Sequence, residues 1–156
     1  VRLDLRTRRI TAELAAGKKS ETSMSAWRLR TGFWAQSPTG VVLLVPDFEQ
    51  GYIAAIREDD WKGSAEAQEL ADLDAEIEEC EDPPKTQRLK RFRAAGLFGS
   101  NLSKGRLTIP RDIVWLVARD NADRDVTLVF REPVIEIWAT RRWQDYLAGV
   151  LFSLRE

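Results

Sequence analysis

Leu102-Ser103-Lys104-Gly105-Arg106-Leu107-Thr108-Ile109-Pro110 is the stretch on which the reading of the fold turns. A polar triplet, Ser103-Lys104-Gly105, interrupts an apolar run that resumes at Leu107 and Ile109. The pattern predicts a tight turn opening onto a short strand, Arg106 to Ile109, with Pro110 as the first residue of a short helix completed by Asp112 to Ala118. Upstream, Ala95 to Leu102 reads as a strand softened by glycine. Downstream, Val126–Phe130 and Val134–Trp138 form a hairpin across Arg131-Glu132-Pro133, and Arg141 to Leu154 is an amphipathic helix.

The first part of the chain runs through a similar order. Leu3 to Ala15 reads as a strand passing into a short helix, Gly17 to Ser25 as a polar loop and Trp27 to Trp34 as a strand. Ser37 to Gly40 is a turn signal. Val41–Val45 is a buried strand stopped by Pro46, Tyr52–Ile56 its partner, and a helix runs from near Trp61 to about Glu79 with Asp59 or Asp60 as its cap. Tyr52–Ile56 answers Val134–Trp138 and Trp61 answers Trp143, both displaced by 82 residues (138 − 56 and 143 − 61). Val41–Val45 answers Val126–Phe130, and the stretch from Leu3 answers that from Asn101, with Arg8 facing Arg106. One duplicated unit therefore accounts for the chain, with copies over residues 1–82 and 83–156.

Charge is abundant but balanced: 24 Lys and Arg against 25 Asp and Glu give a net charge of -1. Any nucleic-acid contact must then come from local segregation of charge. Glu66, Glu69, Asp72, Asp74 and Glu76 make one helix acidic around a stripe of Leu70, Leu73, Ile77 and Cys80. The next helix, Lys85 to Arg93, is basic, and its charge is either merely solvated or pairs with the acidic helix as a hairpin. The absence of His and the single Cys80 exclude a His-based triad, a Cys-His pair, the usual zinc clusters and an internal disulfide. Asp59, Asp60 and the carboxylates from Glu78 to Asp82 lie in runs typical of caps and solvated faces, with no nucleophile beside them, so an enzyme is not expected. Trp61 and Trp143 at matching positions suit helix-to-sheet packing better than a ligand cage. No signal segment or membrane-length apolar run is read, which points to an intracellular protein.

Five segments of the second half, Leu102–Pro110 with its short helix, Val126–Phe130, Ile135–Trp138 and Arg141–Leu147, together resemble the C-terminal repeat of the MraZ family. The first half resembles the N-terminal repeat through Asp4-Leu5-Arg6-Thr7-Arg8, which fits the family's Asp-three-residues-Arg motif, and through the strand, helix and Trp61 that follow. The resemblance implies an α+β fold, a β-barrel with flanking helices built from tandem AbrB-like swapped-hairpin or double-split barrel repeats. It also implies a ring-shaped homo-oligomer, located in the cytoplasm with the nucleoid. Such a protein represses or modulates a division and cell-wall gene cluster by binding double-stranded DNA with repeated promoter elements, and needs no cofactor and no metal. The DNA-contacting positions carried over are Arg8 and Arg106, with Arg6, Lys104 and Gly105 beside them. The sequence departs from the motif in two places: Leu102 stands where the second copy would have Asp, and Thr7 and Ala12 replace the first copy's glycine and proline.

Elementary chemistry supports that assignment for the second copy. Lys104-Gly105-Arg106 puts two cations on a tip whose glycine lets a phosphate approach, and arginine can also bond guanine O6 and N7. A single tip grips weakly, and repetition around a ring would multiply it. Two other readings remain open: an AbrB-like antitoxin that represses its own promoter, with the acidic helix as partner surface, and an oligomeric interaction module that has lost DNA binding.

Overall fold

The computed structural model describes residues 6–14, 25–31, 39–118 and 122–155. Leu3 to Leu5, the loop from Gly17, the strand end at Trp34, the start of the Ser37 turn and Asn121 lie outside them. Strands β1 (Arg6–Thr11), β2 (Glu13–Leu14), β3 (Trp27–Arg30), β4 (Val41–Asp47) and β5 (Tyr52–Arg57) come first. A 3-10 turn, Glu58–Gly63, then leads into helices α1 (Ala65–Glu79) and α2 (Pro83–Ala94). After these come β6 (Phe98–Ser103), β7 (Arg106–Ile109), α3 (Arg111–Val114), β8 (Asp125–Arg131), β9 (Val134–Ala139) and α4 (Thr140–Arg155).

All nine strands join one antiparallel sheet in the order β1-β8-β9-β5-β4-β6-β7-β3-β2. Because β1 runs into β2 through the buried Ala12, the two ends of the sheet belong to one stretch of chain, and β1 comes back beside β3. The result is a nearly closed barrel. Strands from before and after residue 82 are interleaved in it, β1 lying beside β8 and β6 beside β4. In the β5–β9 pairing Ala54 faces Glu136, and in the β3–β7 pairing Leu29 faces Leu107. Ala12 N–H bonds the Arg124 carbonyl at 2.8 Å, and Leu102 N–H bonds the Gly40 carbonyl at 2.8 Å.

Alternation sets what lies inside. Trp27 and Leu29, Val42 and Leu44, Leu107 and Ile109 point inward while their neighbours are more exposed, as a pleated strand with one wet face requires. The barrel interior adds Ile53, Val126, Leu128, Ile135 and Ile137, closed by Ile113 and Val114 of α3. Strands β5, β8 and β9 are buried on both faces, because helices cover the outer one. Trp61 packs on Ala54, Ile56 and Val134, and Trp143 on Val129 and Trp138, with the Trp138 and Trp143 rings 5.3 Å apart in an edge-on arrangement. Both tryptophans thus lock helical segments onto the sheet, as their position after a strand suggests.

Two polar clusters tie the helices to the sheet. Arg131 Nη2 donates to Glu66 Oε1 at 2.7 Å and its Nε to Glu136 Oε2 at 2.8 Å, joining the first turn of α1 to β8 and β9. Burial works against the Arg131 charge, but hydrogen bonds to the two carboxylates outweigh it and hold the guanidinium protonated beyond its ordinary range. Asp125 accepts from Arg9 on β1 and from Thr140 Oγ1 at the start of α4, at 2.8 Å in the latter case. The Arg9 hydrogen bond holds the Asp125 carboxyl below the usual carboxylate range.

Several elements depart from the sequence reading. Residues 6–14 form two strands and no helix. Pro46 does not stop β4, which continues to Asp47; it lies past Leu44, the last residue paired with β6, where a missing N–H removes no ladder bond on that side. Ser64, not Asp59 or Asp60, caps α1 by accepting from Ala67 N–H at 3.1 Å, while Asp60 pairs with Arg57. Pro83 and Pro84 open α2, occupying the positions where a missing donor costs nothing, and Pro110 is the cap residue of α3. The acidic and basic helices do pack as a hairpin, with Arg93 Nε 2.9 Å from Asp74. No helix among the described residues is long and apolar enough to cross a membrane.

Arg131→Met removes the shared partner of two largely buried carboxylates. Urea denaturation is expected to show a loss of about 2 kcal/mol, below the full cost of breaking a buried pair because Arg131 is partly exposed, with part recovered by adding Glu66→Gln. Asp125→Asn tests the second cluster through pH. A depressed carboxyl contributes stability that is present above the unfolded value of about 3.9 and lost as pH falls through the folded one. The stability gap between wild type and Asp125→Asn should therefore be constant above roughly pH 5 and narrow as pH falls below the ordinary carboxylate value of about 3.9.

Candidate nucleic-acid interface

A two-residue connection between antiparallel strands needs positive φ at both positions if its twist is to match theirs. Lys104 (φ 54°) and Gly105 (φ 74°) meet that need between β6 and β7. Gly105 adopts such a backbone freely; Lys104 does so against its Cβ, and among the described residues it is the only non-glycine with positive φ. The turn is anchored as well as tight: the Gly105 carbonyl accepts from Thr31 N–H at 2.9 Å and from Thr31 Oγ1 at 3.3 Å. Thr31 is fully buried, while Lys104 is exposed. A strained lysine on a rigid tip, where asparagine would satisfy the backbone better, points to use of its charge.

Arg106 does not sit on the tip itself. It is the first residue of β7, opposite Ser103 in β6 and Arg30 in β3, with its side chain about two-fifths exposed. Its Nε lies 3.3 Å from Glu13 Oε2, within ion-pair range but without hydrogen-bond geometry. Arg30 Nε donates to the other oxygen, Glu13 Oε1, at 3.0 Å. Arg28, exposed on the same strand, faces Thr108 on one side and Glu13 on the other. Two cations, Arg30 and Arg106, thus share one carboxylate, with Arg28 opposite Glu13 in the β2–β3 ladder and Lys104 two residues before Arg106 on the adjoining turn.

Arg6 and Arg8 are elsewhere. Both are exposed, but in the body of β1, opposite Phe130 and Leu128 of β8, and not in a turn. The ladders also disagree with facing Arg8 to Arg106. Arg8 lies opposite Leu128 as Phe98 lies opposite Leu44, and Arg28 lies opposite Glu13 as Arg106 lies opposite Ser103. On the expectation of two copies, the ladders would match Arg28, and not Arg8, to Arg106. The cause is the connection from Leu14 to Trp27, far longer than Lys104-Gly105. A signal for Arg28 was present in the sequence, since Arg28-Leu29 repeats Arg106-Leu107; nothing local marked Glu13 or Arg30.

No group of three or more His, Cys, Asp or Glu among the described residues could hold a metal ion. Exposed large apolar side chains among the described residues include Leu14 of β2, Phe92 and Trp115, each packed on Phe48, and Tyr146, Leu151, Phe152 and Leu154 of α4. No family model matches the sequence, and no curated protein matches it.

Lys104→Asn should relieve the backbone at that position. Thermal or urea denaturation is expected to show a gain of roughly 0.5 kcal/mol, and Gly105→Ala a loss of about 1 kcal/mol. Equal stability for all three proteins would mean that the turn is not held in this conformation.

Proposed function

We propose that the protein is a sequence-specific, DNA-binding transcriptional regulator of the MraZ type, made of two AbrB-like copies and acting as a ring-shaped homo-oligomer. The observation that carries this reading is the rigid Lys104-Gly105 turn followed by Arg106, with Lys104 exposed and Arg106 partly so. Cations held on a fixed frame lose little freedom on meeting a phosphate, and the planar guanidinium can read guanine where it reaches the major groove.

Duplication of one unit is supported by the ladders. Tyr52–Ile56 and Val134–Trp138 are equivalent by sequence, and their paired centre, Ala54 with Glu136, joins equivalent residues. The second pairing does the same at Leu29 and Leu107, once Arg28 is matched to Arg106. In this scheme the first strand of each copy, β1 or β6, pairs with the hairpin of the other copy, which is the exchange expected of swapped-hairpin repeats. Assembly is supported by the exposed apolar end of α4 and by Phe92 and Trp115, surfaces a monomer would leave in water. The target implied by the resemblance is a promoter of the division and cell-wall cluster carrying repeated elements.

Gel retardation with a fragment carrying tandem promoter repeats tests the reading. Affinity should fall steeply with salt, and Arg106→Ala should abolish specific retardation while the protein stays folded. Lys104→Asn should weaken binding of specific and mixed-sequence duplex alike. Undiminished binding by Arg106→Ala at moderate salt removes Arg106 from the mechanism, and a lone monomer in sedimentation removes the ring.

A further inference from the structure

The outward side of the β2–β3–β7 sheet holds an arrangement that a strand ladder does not produce by default. Arg30 and Arg106 stand directly opposite each other. Like charges in that position repel, and a sheet selected for stability alone would place a carboxylate or a neutral residue there. Glu13, reaching across from β2, takes one guanidinium on each carboxylate oxygen: Arg30 Nε at 3.0 Å on Oε1, Arg106 Nε at 3.3 Å on Oε2.

Glu13 meets Nε in both cases, a hydrogen bond for Arg30 and an ion-pair contact for Arg106, which leaves the terminal nitrogens, two on each side chain, for another acceptor. Neither arginine makes another ion pair among the described residues. One negative charge does not neutralise the pair, and Arg28, opposite Glu13 in the ladder, adds a further cation on that strand. Arg106 Nε is shielded from solvent and lacks hydrogen-bond geometry, so Arg106 is the less firmly held of the pair. Two guanidinium groups drawn to one carboxylate, with an excess of positive charge, suit adjacent oxyanions on a polymer better than a single carboxylate ligand.

We infer that Arg30 and Arg106 form a paired-arginine site for neighbouring backbone phosphates of duplex DNA, and that Glu13 is the positioning residue that keeps the two side by side against their mutual repulsion. The inference rests on the reading of the Lys104–Arg106 turn as a DNA contact. It adds a contact from the first half of the chain, Arg30, and an acidic residue whose negative charge serves anion binding through geometry.

The test is a salt titration of binding to a duplex carrying tandem promoter repeats and to a mixed-sequence duplex of equal length, with wild type, Arg30→Gln, Arg106→Gln and Glu13→Gln. Each variant is first shown to have the wild-type melting profile; where Glu13→Gln does not, Glu13→Asp, which retains the charge but is too short to hold both arginines, takes its place. On the mixed-sequence duplex each arginine change should lower the slope of log affinity against log salt by about 0.9, the signature of one lost phosphate contact. The Glu13 change should leave the slope as in wild type and reduce the ratio of specific to mixed-sequence affinity by about tenfold. An unchanged slope for Arg30→Gln, beside a reduced one for Arg106→Gln, overturns the paired site and leaves the hairpin reading standing. A Glu13 variant that binds both duplexes more tightly with the ratio intact shows a simple counterion and overturns the positioning role. No binding by the wild-type chain overturns both readings.

Discussion

Two antiparallel seams, β5 against β9 and β3 against β7, hold the molecule together, and everything else is arranged about them. At the first, Ala54 meets Glu136; at the second, Leu29 meets Leu107. Each seam joins a strand from early in the chain to one from late in it, so neither half can complete a sheet without the other. The chain therefore closes its barrel by exchange, β1 adding to β8 and β6 to β4, and the edges that isolated hairpins would expose are consumed. The same constraint places Arg30 against Arg106, residues that 75 positions of intervening sequence give no reason to associate.

Much of the architecture could be read locally. The presence of strands β3 to β9 and of the four helices follows from alternation and from glycine and proline, because each is decided within a dozen residues, whereas the end of β4 and the cap of α1 do not. Local rules failed where a distant partner decided the outcome. Pro46 stays in β4 because β6 ends before it, and the residues near Ala12 extend because β8 and β3 are there to receive them. The proposed repeat can be followed in the order of elements but not in their register: connection lengths differ between the halves, and under that proposal the ladders match Arg28, not Arg8, to Arg106.

The candidate surface divides in the same way. Lys104, Gly105 and Arg106 were visible as a turn with its cations, since turn chemistry is a local property. Arg30 and Glu13 were invisible as members of one site, because a carboxylate spanning two strands exists only in three dimensions. Arg6 and Arg8 show the converse: a motif matched by spacing alone, on residues that occupy the middle of a strand. The chain as a whole is nearly neutral, yet the outward side of β3 and β7 concentrates cations on a framework pinned by Thr31 and Glu13. That combination of local charge and rigidity is the physical basis of the proposed DNA contact.

The most direct measurement is a map of backbone amide shifts by NMR while duplex DNA carrying repeated elements is added to the protein. Changes concentrated on Arg28 to Thr31 and Ser103 to Thr108, on the same surface, are what this account requires. Changes confined to Arg6 to Arg9, or to the basic helix from Lys85 to Arg93, with the β3–β7 surface silent, would contradict it.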